Sequence, residues 1–261
     1  MITGTTTALV TPVDAAGEID EKSMARLVAS VRPYADALLP ALSTGEGGSL
    51  SDRQWRETLT AAVRYADGLP VLAGILRPTT AAALALARSA GGLGAAAVVV
   101  TTPYGADVTQ EEMYRHFEAV AGAGLPVIVY HESAVSGNRL ELGTLLRVCA
   151  LPGVAGVKDS AGDPEFTRAL LAAGPGVPVV QGLEHLLLDS GPVDGWVVAL
   201  GNVEPELCRA LLTDRGEERT AQLHAAYARY GLDRDDWYRS LKTELLRRAV
   251  IETDREVPCS T

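Results

Sequence analysis

The sequence predicts an α/β protein: a (β/α)8 TIM barrel with a short C-terminal helical extension. Three observations carry this expectation. Eight short runs rich in Val, Ile, Leu and Ala alternate with helical stretches, roughly 30 residues per strand–helix pair. The runs are nearly continuous in apolar residues, as for parallel strands covered on both faces. The first strand–helix turn reads TPVDAAGEID and lacks the GxGxxG of an open, doubly wound sheet, the rival architecture. With 261 residues, 47% of them hydrophobic and 21% charged, the chain suffices for one such domain with a substantial core.

Taken in order, the strands fall over residues 7–11, 37–42, 70–75, 95–101, 126–130, 154–158, 178–181 and 196–200. The intervening helices fall over 21–32, 52–67, 79–90, 110–123, 140–150 and 164–172, with a shorter one from Glu184 and another over 205–212. Good caps open several of them: Ser51 before Asp52, Thr109 before Gln110-Glu111-Glu112, and Asp163 directly before Pro164. Residues 1–205 hold the strands and most helices; 206–261 hold the last barrel helix and the extension, all within a single domain. The two amphipathic stretches of the extension, 216–230 and 235–250, are expected against the outside of the barrel or at a subunit contact, and the tail 252–261 reads as mobile.

The net charge of −10 and pI near 4.9 argue against nucleic acid or an anionic membrane as partner, since no basic stripe is present to meet phosphates. Cys149, Cys208 and Cys259 show no CxxC spacing and read as reduced thiols, the first two packed as small hydrophobes. The opening MITGTTTALVTP lacks a signal-peptide pattern, and no run is long and apolar enough for a membrane span, so the expected location is cytoplasmic.

In such a barrel, reactive groups sit at the C-terminal ends of the strands. The strand-6 lysine is the informative one. The chain has 20 arginines and three lysines, and only Lys158 follows an apolar strand, VAGVK. Lys22 and Lys242 lie in charged helical segments and read as solvated. A lysine facing a barrel interior is costly to keep charged, so its pKa falls, and a neutral amine is what attack on a ketone needs. The alternative is a structural lysine paired with Asp159 or Glu46. Tyr130 ends the adjacent strand and could shuttle a proton above Lys158, although a strand-end tyrosine alone is more often packing. Ser43-Thr44-Gly45 offers two hydroxyls and exposed backbone N–H groups to a carboxylate; its bland reading is a cap and turn. His116, His131, His185 and His224 lack metal-ligand spacing, so no metal is expected. His116 and His224 read as surface or half-buried, and Arg77 as a surface ion pair or an anion contact.

The segments GTTTALVTPVDAAGEID, LSTGEGGSLS, VVVTTPYG, VIVYHESAVSG and GVKDSAGD occur together in order. On these motifs the chain, over about residues 3 to 205, resembles the dihydrodipicolinate synthase / N-acetylneuraminate lyase family of class I aldolases. The resemblance implies Lys158 as the Schiff-base lysine, Tyr130 as the proton shuttle, and Ser43 and Thr44 as the pair that binds the substrate carboxylate and orients the tyrosine. Gly45, Tyr104, His131, Glu132, Gly182 and Glu184 are carried over as substrate-binding candidates, with Glu46 a supporting group. It further implies a 2-oxo acid such as pyruvate and an aldehyde as partners, no cofactor beyond the covalent lysine, and a homodimer or homotetramer.

The departures bear on the second substrate. Val135 stands where lysine-biosynthetic members carry an arginine; Glu132 and Ser133 replace a typically apolar residue and a frequent proline. Gly105 stands where a second aromatic often reaches across a dimer, Leu183-Glu184-His185 and Ala199 depart from the sugar-binding pattern, and Ser43 and the x-S-G loop ending lean toward the lyases. The expectation is a Schiff-base-forming lyase on pyruvate or another 2-oxo acid, nearer the N-acetylneuraminate lyases and with a divergent substrate. The alternatives are 4-hydroxy-tetrahydrodipicolinate synthesis, or a non-catalytic relative that binds an oxo acid.

Overall fold

A computed structural model describes residues 2–258. The eight strands are β1 (Gly4–Ala8), β2 (Ala37–Leu39), β3 (Leu72–Ile75), β4 (Ala97–Thr101), β5 (Val127–His131), β6 (Val154–Asp159), β7 (Val179–Gln181) and β8 (Gly195–Val198). They pair in parallel in the order β2-β1-β8-β7-β6-β5-β4-β3, and a parallel bridge between Leu38 and Val71 closes β2 onto β3. The result is the expected (β/α)8 barrel. One core fills the barrel interior, with Leu39, Val99, Ile128 and Val197 fully buried; the larger core lies between the sheet and the surrounding helices.

Six helices return between strands: α1 (Glu21–Val31), α2 (Asp52–Tyr65), α3 (Thr80–Ala90), α4 (Gln110–Ala121), α5 (Leu142–Cys149) and α6 (Pro164–Ala172). The three caps read from sequence are formed. Ser51 and Thr109 each make a full capping box, and Asp163 accepts from the Glu165 and Phe166 amides. After β7 the chain makes only a single 3-10 turn, Glu184–Leu186. The stretch ends at Gly191-Pro192, too soon for an α-helix to recover its nucleation cost.

β1 starts three residues earlier than expected, because the β-branched Thr5–Thr7 suit a buried strand. Beyond Ala8 a side-chain amide takes over from the ladder: Asn202 accepts from the Val10 amide at 3.1 Å and donates to the Ala8 carbonyl at 2.7 Å. That exchange turns the chain out of the sheet at the barrel's rim.

The last barrel helix α7 (Pro205–Ala210) follows β8, and the extension then forms α8 (Glu217–Arg229) and α9 (Trp237–Arg247); here two expectations fail. Lys242 is not solvated: it is 0% exposed, paired with the Glu46 carboxylate, and donates to the Arg255 carbonyl at 2.8 Å. The second Glu46 oxygen accepts from the Val257 amide at 2.7 Å. The tail is therefore docked through Val257 rather than loose; Cys259 lies outside the described residues. Leu241, Lys242 and Leu245 form the buried stripe of α9, and of these Lys242 holds the turn after β2 through Glu46.

His116 is also buried, at 1% exposure, with Thr80 Oγ1 2.9 Å from its Nδ1, and burial lowers its pKa to about 4. Arg77 is a clamp as well as an ion pair: it donates to the Gly47, Leu76 and Leu50 carbonyls and meets Asp52. Among the described residues no helix is long and apolar enough to cross a membrane.

Candidate active site

At the C-terminal mouth of the barrel lies a cavity of about 270 Å³ whose floor and inner walls come from strand ends. Strand alternation decides which side chains reach it. In the β5–β6 register Tyr130 pairs with Lys158, and both face the interior; His131 pairs with Asp159, and both face outward. His131 accordingly does not line the cavity. It is 1% exposed, meets Asp159 Oδ1 at 3.0 Å and the Leu140 carbonyl at 3.1 Å, and stacks on Phe166. Burial works to raise the Asp159 pKa, but hydrogen bonds from His131, Thr167 and the Ala161 amide hold it below the usual range. These groups brace β6 from behind.

Lys158 is 3% exposed, with Nζ 2.9 Å from Ser160 Oγ and 3.8 Å from the centre of the Tyr130 ring. It pairs with neither Asp159 nor Glu46, whose carboxylates are engaged elsewhere. Burial lowers its pKa to about 7, while the Glu184, Glu132 and Asp159 charges pull the other way. A large fraction of the amine is therefore neutral near pH 7. The Tyr130 hydroxyl lies 3.2 Å from Ser43 Oγ; burial raises its pKa well above the usual range, and hydrogen bonding to Ser43 opposes that rise.

Gly182 matters for what it lacks. A Cβ there would lie 2.2 Å from Ser160 Oγ and 2.7 Å from Lys158 Nζ, so only glycine leaves the amine its place. Gln181 holds this strand end by accepting from the Gly182 and Leu183 amides, each at 2.9 Å.

Of the sequence candidates, Ser43, Thr44, Tyr130, Glu132, Lys158, Gly182 and Glu184 come together around the cavity. Gly45 and Tyr104, like His131, stand outside its walls. Gly45 packs under the turn, where a Cβ would meet Ala41 N and Leu9 O at 2.9 Å, and Thr11 Oγ1 donates to its carbonyl. The Tyr104 hydroxyl is buried without a hydrogen-bond partner among the described residues, and burial raises its pKa to about 12. Glu132 and Glu184 face the cavity as acceptors. Glu132 is held by Thr101 Oγ1 and the Val135 and Ser136 amides, and Glu184 by the Ala199 and Leu200 amides.

Ser160 was missed by sequence reasoning, although its place two residues beyond Lys158, on the same face of the strand, was a usable signal. Also missed were Tyr227, Leu232, Arg234 and Trp237, which roof the cavity from the extension. No local pattern announces them.

The family model described as "Dihydrodipicolinate synthetase family" matches residues 1–229. A 4-hydroxy-tetrahydrodipicolinate synthase of Syntrophotalea carbinolica is 30% identical over 227 residues, 85% of this chain and 78% of that protein. One from Thermomicrobium roseum is 35% identical over 234 residues, 86% and 77% of the two chains. Among solved structures, the chloride-inhibited dihydrodipicolinate synthase of Acinetobacter baumannii, complexed with pyruvate, superposes with a TM-score of 0.89 at 27% identity, covering 100% of this chain and 93% of that one. These similarities fall on the synthase side of the family, not on the lyase side toward which the strand-5 loop leaned.

Proposed function

The chain belongs to the dihydrodipicolinate synthetase family, whose members are lyases working through a covalent lysine–pyruvate Schiff base without a cofactor, and from that premise we propose that it condenses pyruvate with an aldehyde in the manner of the synthases. The observation that carries this reading is the Lys158 amine: buried, brought to a pKa of about 7, and set between Ser160 Oγ and the Tyr130 ring.

In this reading the pyruvate carboxylate sits on Ser43 and Thr44, which presents C2 to Lys158 Nζ. The neutral amine adds to the carbonyl, and the resulting carbinolamine loses water to give an iminium. Tyr130 supplies the proton that the departing hydroxyl needs, and a proton leaves C3 to form the enamine. The enamine carbon attacks the aldehyde, and hydrolysis returns the free lysine. Glu132 and Glu184, fixed by backbone N–H donors, lie close enough to stabilise the cationic iminium. Ser43 orients the phenol and Ser160 the amine. A cytoplasmic homodimer or homotetramer, as the family resemblance implies, completes the proposal.

Borohydride reduction in the presence of pyruvate, read by intact mass, tests it. The expected result is an adduct on the wild-type chain that is absent in Lys158→Ala. A wild-type protein that takes up neither pyruvate nor another 2-oxo acid would falsify the Schiff-base reading and leave an oxo-acid-binding relative.

A further inference from the structure

We infer that Lys242 of α9 is a positioning residue for pyruvate binding: through Glu46 it sets the Ser43–Thr44 turn, so a C-terminal segment outside the cavity walls governs the affinity for the substrate carboxylate. This rests on the Schiff-base reading and adds to it a control point contributed by the extension rather than by the barrel.

Three hydrogen bonds make the joint. Lys242 Nζ donates to Glu46 Oε1 and to the Arg255 carbonyl, and the Val257 amide donates to Glu46 Oε2 at 2.7 Å. The two side chains are buried, with 0% and 5% of their surface exposed. Burial pushes the Glu46 carboxyl up and the Lys242 amine down, against the attraction between them. A charge pair in such a place is a weak source of stability, because apolar packing of the same volume does as well; its best-attested use is to fix register. Here the register is that of α9 and the tail against the turn after β2.

The turn passes this constraint on because it has little slack. The Glu46 amide donates to the Ser43 carbonyl at 3.0 Å, and Thr11 Oγ1 to the Gly45 carbonyl at 2.7 Å. Ala41, at φ +60°, and Glu46, at φ +54°, occupy the left-handed region without being glycine. A Cβ on Gly47 or Gly74 would run into the Ala41 carbonyl group. A shift of Glu46 is therefore carried to Ser43 and Thr44, and through Ser43 Oγ to the Tyr130 hydroxyl 3.2 Å away. The same helix also reaches the cavity. Trp237, about 7.5 Å before Lys242 along α9, lines the roof. One rigid element thus spaces the roof from the turn that receives the carboxylate.

The test measures initial borohydride trapping rates against pyruvate concentration, which gives a half-saturating concentration and a saturating rate. Weaker ground-state binding raises the first and spares the second. Lys242→Met combined with Glu46→Gln removes the pair without stranding a charge. It is expected to raise half-saturating pyruvate about tenfold, the effect of losing one hydrogen bond to a charged group, with the saturating rate within about threefold of wild type. Val257→Pro, which deletes the amide donor and leaves both charges, should raise it about threefold. Leu86→Ala, at a buried position of α3 outside the cavity walls, controls for lost stability and should leave half-saturation unchanged. Unchanged half-saturation in a folded double variant, an equal rise in Leu86→Ala, or a loss confined to the saturating rate overturns the inference alone. Where far-UV circular dichroism shows the double variant unfolded, Val257→Pro decides by the same criteria. A wild type that traps no 2-oxo acid overturns the Schiff-base reading and this inference with it.

Discussion

Replacing Gly182 by alanine adds one methyl group directly beside Lys158 and Ser160. An ordinary carbon contact is 3.4 Å or more, and the new Cβ would find Lys158 Nζ at 2.7 Å and Ser160 Oγ at 2.2 Å. The amine must therefore retreat by about 0.7 Å and the hydroxyl by about 1.2 Å, which breaks the 2.9 Å contact between them. Gly182 does not occupy the left-handed region, so the backbone accepts alanine without strain and the effect is local. Since a misplacement of about 1 Å costs roughly 10²-fold in a positioned reaction, the rate of pyruvate trapping in Gly182→Ala should fall by about that factor. The assay is a borohydride time course read by intact mass, with far-UV circular dichroism and thermal unfolding to establish that the barrel is intact. A folded variant that traps pyruvate within about threefold of the wild-type rate would sink the argument that this glycine reserves the space of the nucleophile.

Two further outcomes follow from the electrostatics. On the Schiff-base reading Lys158, its pKa lowered to about 7 by burial, attacks as the neutral amine, so the trapping rate should rise with pH, tenfold per unit well below 7, and level off above it; a rise continuing toward pH 10 would show an ordinary, solvated lysine. Lys242→Met strands the Glu46 carboxylate in the interior, a loss of about 3–5 kcal/mol measurable by urea unfolding, and adding Glu46→Gln should recover part of it. A loss below about 1 kcal/mol would mean that water reaches the carboxylate.

The barrel was legible because its signals are local. Near-continuous apolar runs, capping residues such as Ser51 and Thr109, and turn residues at strand ends each report on a few neighbouring positions. Lys158 stood out for the same reason, as a single cation at the end of an apolar strand. His131 was misplaced although the information was present: a residue next to an inward-facing Tyr130 must face outward. What could not be read was whatever depends on how distant segments dock. The amphipathic stripe of α9 announces a buried face but not its destination, so Lys242 looked like one more charge in a charged helix. The roof residues Leu232, Arg234 and Trp237 carry no motif, and their role exists only once the extension has folded over the mouth.

The clamp on Glu46 has a consequence for how the molecule is made. The turn that carries Ser43 and Thr44 is held by partners 196 and 211 residues further along the chain. A chain emerging from the ribosome exposes its first strands long before those partners exist. Until Lys242 and Val257 arrive, the Glu46 carboxylate has neither its cation nor its amide, and the turn rests on nearer bonds alone, those of Thr11 to the Gly45 carbonyl and Arg77 to the Gly47 carbonyl. The strand that carries Lys158 can thus be synthesised while the turn that carries Ser43 and Thr44 is still incompletely braced. Translation order thereby leaves the turn that presents Ser43 and Thr44 without its last two braces until the C-terminal segment has been made.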